Sequence, residues 1–339
     1  MFAPRIAVKP TERSPAPQQS GTAAAASALP GSIAFVALLT GALAIASSGI
    51  FVRLSQTGPT ATAFWRAALA LPPLLVWALF ERRFVAASAS RAPRTAAPAW
   101  RLDARLLWCG AFFAGDLALW HWSLLKTSVA ASTLEANLAP VIVTLLAWLL
   151  YREKPSPRFA VALILALCGV LLIVAPKLRG AGGALLGDVL GLGTAFFYAG
   201  YLMTMARLRG ERGTGALMFA TTCVVAVLLL PLAVTQKFLP DDAHGWLLLI
   251  GLALIAQAIG QGLIAFALAH LSATFSAVGL YLQPVAAAAY AWWLLGESLQ
   301  PVQLLGGAIV LCAIALARAS TQSSTGRQSA SRNLVVKNP

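Results

Sequence analysis

The stretch LAPVIVTLLAWLLYRE at residues 138–153 returns as LQPVAAAAYAWWLLGE at residues 282–297. Each copy has a proline at its third position, an Ala-Trp pair seven residues later, and a closing Glu. The match extends without a gap from 128–172 onto 272–316, with 13 of 45 positions identical. Apolar composition alone gives scattered Leu and Ala matches. It does not give paired Pro, Trp and Glu at one offset of 144 residues. The chain therefore reads as two related halves.

Composition fixes the medium around those halves. Of 339 residues, 59% are hydrophobic and 11% charged, and the mean hydropathy is +0.78. A soluble domain carries about 25% charged residues, enough to cover its surface. This chain cannot do that, so an ordinary soluble enzyme, a disordered chain and a disulfide scaffold are excluded. Ten apolar stretches follow: about 31–53, 61–80, 104–124, 129–150, 157–176, 187–206, 216–236, 245–267, 273–295 and 300–317. Each is long enough to cross a hydrocarbon core of about 30 Å as a helix. The expected fold is an all-α integral membrane protein of ten transmembrane helices. Its repeats would occupy 31–176 and 187–318, five helices each. Five is odd, so the two repeats enter the membrane with opposite orientation. Inverted repeats point to alternating access around a site near the midplane.

The net charge of +14 suggests nucleic acid at first sight. The basic residues instead sit in loops and tails. With the N-terminus inside, inner segments hold 19 Lys and Arg and outer loops hold five. That bias places both termini in the cytoplasm and removes nucleic acid as a partner. Residues 1–30 and 319–339 are polar and expected to be disordered cytoplasmic tails. The long leader and long first apolar run disfavour a cleaved signal peptide. Cys109, Cys168, Cys223 and Cys312 all lie in apolar runs and read as packing residues.

The two quoted stretches, with FWRAALA at 64–70 and GDVLGLGTAFFYAGYL at 187–202, resemble the EamA family of the drug/metabolite transporter superfamily. The resemblance covers about 31–318. It implies a ten-helix fold in a cell inner membrane and export of small metabolites, often amino acids or related compounds. The first half departs at Tyr151-Arg152-Glu153, where the second half has Leu295-Gly296-Glu297.

Charges inside spans need a reason, since one at the bilayer centre costs about 2.5–3.5 kcal/mol. They are Arg66, Asp116, His121 and Glu135. Arg66 either snorkels outward as an anchor or grips an anion through its guanidinium fork. Asp116 lies deepest and reads as a proton or amine site, or as a fixed pair with Arg66. His121 sits about 140° around the helix from Asp116. Beside Trp120 and Trp122 it reads as an interfacial histidine, with protonation as the alternative. Glu135 and Asn137 are about 200° apart, so they face different neighbours. Glu135 groups with Ser128 and Ser132, and Asn137 with Thr133, Thr144 and Trp148. Their repeat partners are Gly279 and Tyr281, and Tyr281 is a further candidate for the substrate site.

The second half offers neutral stripes. Thr194, Tyr198 and Tyr201 share a helical face, as do Gln257 and Gln261. Ser272, Ser276, Gly279, Gln283 and Tyr290 form a third. Each lines a cavity or glues helices together. Pro140 and Pro284 each interrupt a span and mark a helix bend. Glu153 and Glu297 read as helix-end contacts.

Walker A, GxSxG and HExxH sequences are absent, and no Cys/His spacing suits a metal. No cofactor and no catalytic set is expected. The leading reading is a secondary transporter of a small-molecule substrate within the lipid bilayer; the residues equally allow exchange with protons, through Asp116 or Glu135, and flux without coupling. An uncoupled facilitator, a channel and a membrane-embedded enzyme are the alternatives.

Overall fold

The computed structural model describes residues 31–88, 103–126, 135–152, 154–178, 185–209, 211–296 and 299–337. Ser128, Ser132, Thr133, Glu153, Glu297 and the tail 1–30 lie outside them. Among the described residues there is no strand. The helices are α1 (Gly31–Ala46), α2 (Ser48–Leu54), α3 (Pro59–Ala68), α4 (Leu71–Ser88), α5 (Ala104–Lys126), α6 (Ala139–Tyr151) and α7 (Pro157–Leu178). The second half has α8 (Leu185–Arg209), α9 (Thr214–Ala233), α10 (Ala243–Gly251), a wide π-type segment Leu252–Gln261, α11 (Gly262–Ala267), α12 (Ala273–Gly279), α13 (Leu282–Leu295) and α14 (Pro301–Lys337). The last helix runs on past residue 318, where a disordered tail was expected. Its sequence after that point has a single glycine and no proline before residue 339, so nothing in it breaks the helix.

Seven helical runs are long and apolar enough to cross a membrane: Gly31–Leu54, Pro59–Arg83, Pro157–Ala175, Leu185–Arg209, Thr214–Ala233, Ala243–Ala267 and Pro301–Ser320. The chain is a multi-pass membrane protein by this measure. Three of the ten expected stretches differ. α5 has 23 residues, but Asp116, His121 and its tryptophans lower its apolar character. α6 has 13 residues, about 20 Å of helix, which is short of a crossing. The ninth stretch is broken into α12 and α13 at Leu280 and Tyr281.

The two broken regions match. In the first half Asn137 and Leu138 form a turn just before Pro140; in the second, Leu280 and Tyr281 do so just before Pro284. Each proline therefore stands in the first turn of a new helix rather than inside an old one. That position suits a residue with no N–H, because first-turn N–H groups have no helical partner anyway. The ends match as well. Arg152 takes the left-handed conformation after α6 (φ 60°), and Gly296 takes it after α13 (φ 67°). Helices commonly end this way, usually on glycine.

Packing repeats the same reciprocity. α5 lies along α8, and α1 lies along the π segment and α11. Under the repeat these two pairings exchange. α6 meets α8 as α13 meets α1. α7 pairs with α14, and α9 pairs with α3 and α4, each across the junction of the halves. Lipid offers no hydrophobic drive between helices, so small residues that allow close approach matter more. A Cβ on Gly169 of α7 would stand 2.7 Å from the Gly306 carbonyl, and one on Gly306 2.6 Å from that of Gly169. Large apolar side chains such as Leu149 (63% exposed) and Trp293 (74% exposed) point outward, as in a lipid-facing surface.

Candidate functional site

A cavity of about 510 Å³ lies between the halves. It falls in the usual range for small-molecule sites, about 300–1,000 Å³. Pro140 and Pro284 both line it, so the two helix breaks converge on it. Its lining climbs to Arg53, Ser55, Thr57 and Pro59, the connection between α2 and α3. It includes no residue from 205–216 or 265–273 at the opposite side.

The first-half wall holds Arg66, Asp116, His121 and Asn137. Arg66 ends α3 and is 3% exposed, so it does not snorkel to an interface. Its Nε donates to Gln257 Oε1 at 3.1 Å, and Gln257 Nε2 donates to Thr222 Oγ1 at 3.4 Å. This chain ties α3, the π segment and α9. Asp116, on α5, is buried against the same cavity. Arg66 and Asp116 act on each other electrostatically, but among the described residues no ion pair closes between them. His121 is buried, 1% exposed. Its Nδ1 lies 2.6 Å from the Leu117 carbonyl, which fixes that nitrogen as the donor. Its Nε2 is buried and has no hydrogen-bond partner among the described residues.

The second-half wall is neutral. Thr194, Tyr198, Gln261 and Gln283 line it. Thr194 returns its hydroxyl to the Leu190 carbonyl at 3.1 Å. Tyr198 Oη, Gln261 Oε1 and Gln283 Nε2 are buried, and among the described residues none makes a well-formed hydrogen bond, although the Tyr198 hydroxyl lies within reach of both glutamine side chains. A buried polar atom left unpaired costs about 1–3 kcal/mol. Three on one wall, with His121 Nε2 opposite, form a set of donors and acceptors that a polar solute would satisfy.

Four expected site residues do not line this cavity. Tyr201 is fully buried, stacks on Phe113 at 4.4 Å and directs its hydroxyl at Met218 Sδ. Tyr281 is fully buried in the apolar cluster around α7 and α14. Gln257 is consumed by Arg66 and Thr222. Gln261, four residues on in the same π segment, lines the cavity where Gln257 does not. Glu135 presses on α8, where a Cβ on Gly191 would collide with its carboxylate. Asn137, two residues on, faces the cavity instead. Of the neutral stripe on the ninth stretch, Gln283 reaches the cavity, while Ser276 is buried and unpaired away from it.

Sequence reasoning missed Ser48 and Thr62, both buried and both on the cavity wall. Thr62 Oγ1 lies 2.8 Å from both Ser55 Oγ and Thr57 Oγ1, which knits the mouth of the cavity. The signal was the Ser47-Ser48-Gly49 run inside an apolar stretch. On the side away from the mouth, charges close the structure. Arg105 binds Glu211 through two bonds of 2.7 and 2.8 Å, and Arg212 pairs with Asp103. The Arg105 hydrogen bonds and charge hold the Glu211 carboxyl below the usual range.

A family model described as the EamA-like transporter family matches twice, over residues 32–175 and 185–319. The chain belongs to the EamA-like transporter family. It is a transporter and not an enzyme. It is similar to the pseudopaline exporter CntI of Pseudomonas aeruginosa, 26% identical over 78% of this chain and 88% of that protein. An uncharacterized transporter of Archaeoglobus fulgidus is 25% identical over 81% of this chain and 93% of the relative. The riboflavin transporter of Vibrio cholerae is 28% identical over 64% and 71%. A solved crystal structure superposes with a TM-score of 0.69, covering 86% of this chain and 98% of that one. At 15% identity that likeness concerns the fold alone.

Proposed function

We propose that this EamA-family protein is a secondary transporter that exports small metabolites bearing both a carboxylate and an amine, such as amino acids or related compounds. The observation that carries this reading is the unclosed pair of Arg66 and Asp116 on one wall of a 510 Å³ cavity. A guanidinium suits a carboxylate and a carboxylate suits an ammonium group. The neutral wall of Tyr198, Gln261 and Gln283 would read the rest of the solute. Two relatives are named for the small molecules they move, which fits a small-molecule cargo.

The finer reading has ten crossings, with α6 and the α12–α13 pair completed by neighbouring residues. Five crossings per half make the halves inverted, and the two helix breaks at Pro140 and Pro284 supply the midplane irregularity that such carriers use. The positive-inside bias puts both termini in the cytoplasm and the cavity mouth outside, in a bacterial inner membrane. Proton exchange runs through Asp116, because a proton there cancels the charge that faces Arg66.

The test is uptake by purified protein in liposomes, with labelled amino acids and related metabolites and with or without a proton gradient. Gradient-driven accumulation that Asp116→Asn abolishes supports the proposal. Saturable flux that ignores the gradient in parent and variant makes the protein an uncoupled facilitator. If no panel member moves, the substrate class is wrong.

A further inference from the structure

The ends of the α3–α4 run and of α9 are tied together twice, once at each side of the molecule, by matching contacts. Near the end of α4, Glu81 accepts from the backbone N–H groups of Thr214 at 2.7 Å, Gly215 at 2.8 Å and Ala216 at 3.4 Å. Just past the end of α9, Gln236 Oε1 accepts from the backbone N–H of Thr60 at 3.0 Å. The Gln236 amide also donates to Thr60 Oγ1 at 3.1 Å. Each helical run therefore caps the N-terminus of the other.

The numbering shows that these contacts are equivalent. Glu81 and Gln236 are 155 residues apart, and so are Thr60 and Gly215. Gly58 and Gly213 share that offset. Both glycines are pressed by the capping side chain. A Cβ on Gly58 would stand 2.5 Å from Gln236 Oε1, and one on Gly213 would stand 2.5 Å from Glu81 Oε2. First-turn N–H groups without helical partners favour an acceptor, and a carboxylate more than an amide.

Both caps are closed at once. The cavity mouth lies at 53–59, on the same side as the Gln236 cap. A contact that gated this mouth would be open here, and it is shut. We propose that Glu81 and Gln236 are positioning residues that hold the α3–α4 run and α9 as one rigid unit through the whole transport cycle. The two sides open by movement of the elements packed around that unit. Arg66, at the end of α3, is thereby held at a constant place while access to it changes sides.

This inference rests on the transport reading, and its test needs no substrate. Ser48→Cys places a thiol on the cavity wall. Its labelling by a membrane-impermeant methanethiosulfonate is followed from each side of oriented vesicles, against the parent with its four native cysteines. Glu81→Ala, Glu81→Gln and Gln236→Ala are then added one at a time. Loss of each cap is verified by faster deuterium exchange, at Thr214 to Ala216 for Glu81→Ala and at Thr60 for Gln236→Ala. A rigid unit keeps the ratio of labelling from the two sides within about two-fold of the parent in all three. A larger shift toward the Glu81 side in Glu81→Ala, or toward the Gln236 side in Gln236→Ala, overturns the proposal and makes the caps gates. Should Glu81→Ala fail to fold, Glu81→Gln carries the comparison, since it removes the charge and one of the two acceptor oxygens that cap α9. A protein that moves no solute but keeps its labelling ratio separates failure of the transport reading from failure of this one.

Discussion

The two walls of the cavity come from related halves, yet they carry different chemistry. The first half presents Arg66, Asp116 and His121, and the second presents Thr194, Tyr198, Gln261 and Gln283. Features needed for folding recur in both halves: a proline after each helix break, a left-handed residue after each following helix, and a side-chain cap at each end of the α3–α4 and α9 pair. Charge does not recur. A buried charge in a membrane is expensive, and one charged wall suffices to grip a solute while the facing wall stays neutral. The two halves share the scaffold, and one of them carries the charges.

The sharpest way to break this contrast is to remove the charge that also ties α3 to the π segment. Arg66→Leu strips Gln257 Oε1 of its donor and the cavity of its buried cation. A charged hydrogen bond is worth about 1.5–3 kcal/mol, so KM for a transported carboxylate should rise about 10- to 160-fold. Arg66→Lys should recover part of the loss, because it keeps the charge and loses the fork. Uptake kinetics in liposomes decide this. A variant with unchanged KM would make Arg66 a purely structural bridge.

Asp116→Asn should weaken amine-bearing substrates by about 10-fold and leave analogues without the amine nearly unchanged. An equal loss for both kinds of analogue would contradict a role in amine recognition. The neutral wall should matter less. Tyr198→Phe and Gln261→Leu each remove one neutral hydrogen bond, worth about 0.5–1.5 kcal/mol, or about 2- to 12-fold in KM. If either exceeds the Arg66 variant, the ranking of the walls is reversed. The smallest effect concerns the scaffold. Arg152→Gly puts glycine where the second half has Gly296. It should raise stability by about 1 kcal/mol, because a side chain with a Cβ is disfavoured in that conformation. Thermal unfolding in detergent, followed by tryptophan fluorescence, measures it.

Particular residues show how far the sequence could be read. Arg66, Asp116 and His121 stood out because charge and histidine are rare in apolar runs, and all three reach the cavity. Tyr198 and Tyr201 share a helical stripe, yet only Tyr198 reaches it. Periodicity says which way a side chain points but not what lies there, and Phe113 covers Tyr201. Gln257 and Gln261 were paired by their spacing, yet Gln257 is held by Arg66 and Thr222 and only Gln261 lines the cavity. Glu135 carries a charge and still packs on Gly191. Ser48 and Thr62 were overlooked because short hydroxyl residues are common helix glue in membranes.

The sequence by itself determined the medium, the helical class, the duplication and the family, because these follow from composition and from spacing along one chain. Tertiary structure decided which polar groups converge. It brought Arg66 to Gln257 across 191 residues and Glu81 to Thr214 across 133. It also left Asp116, Tyr198 and Gln283 facing one cavity. Those choices depend on how helices from the two halves cross, and a local pattern carries no information about its distant neighbour.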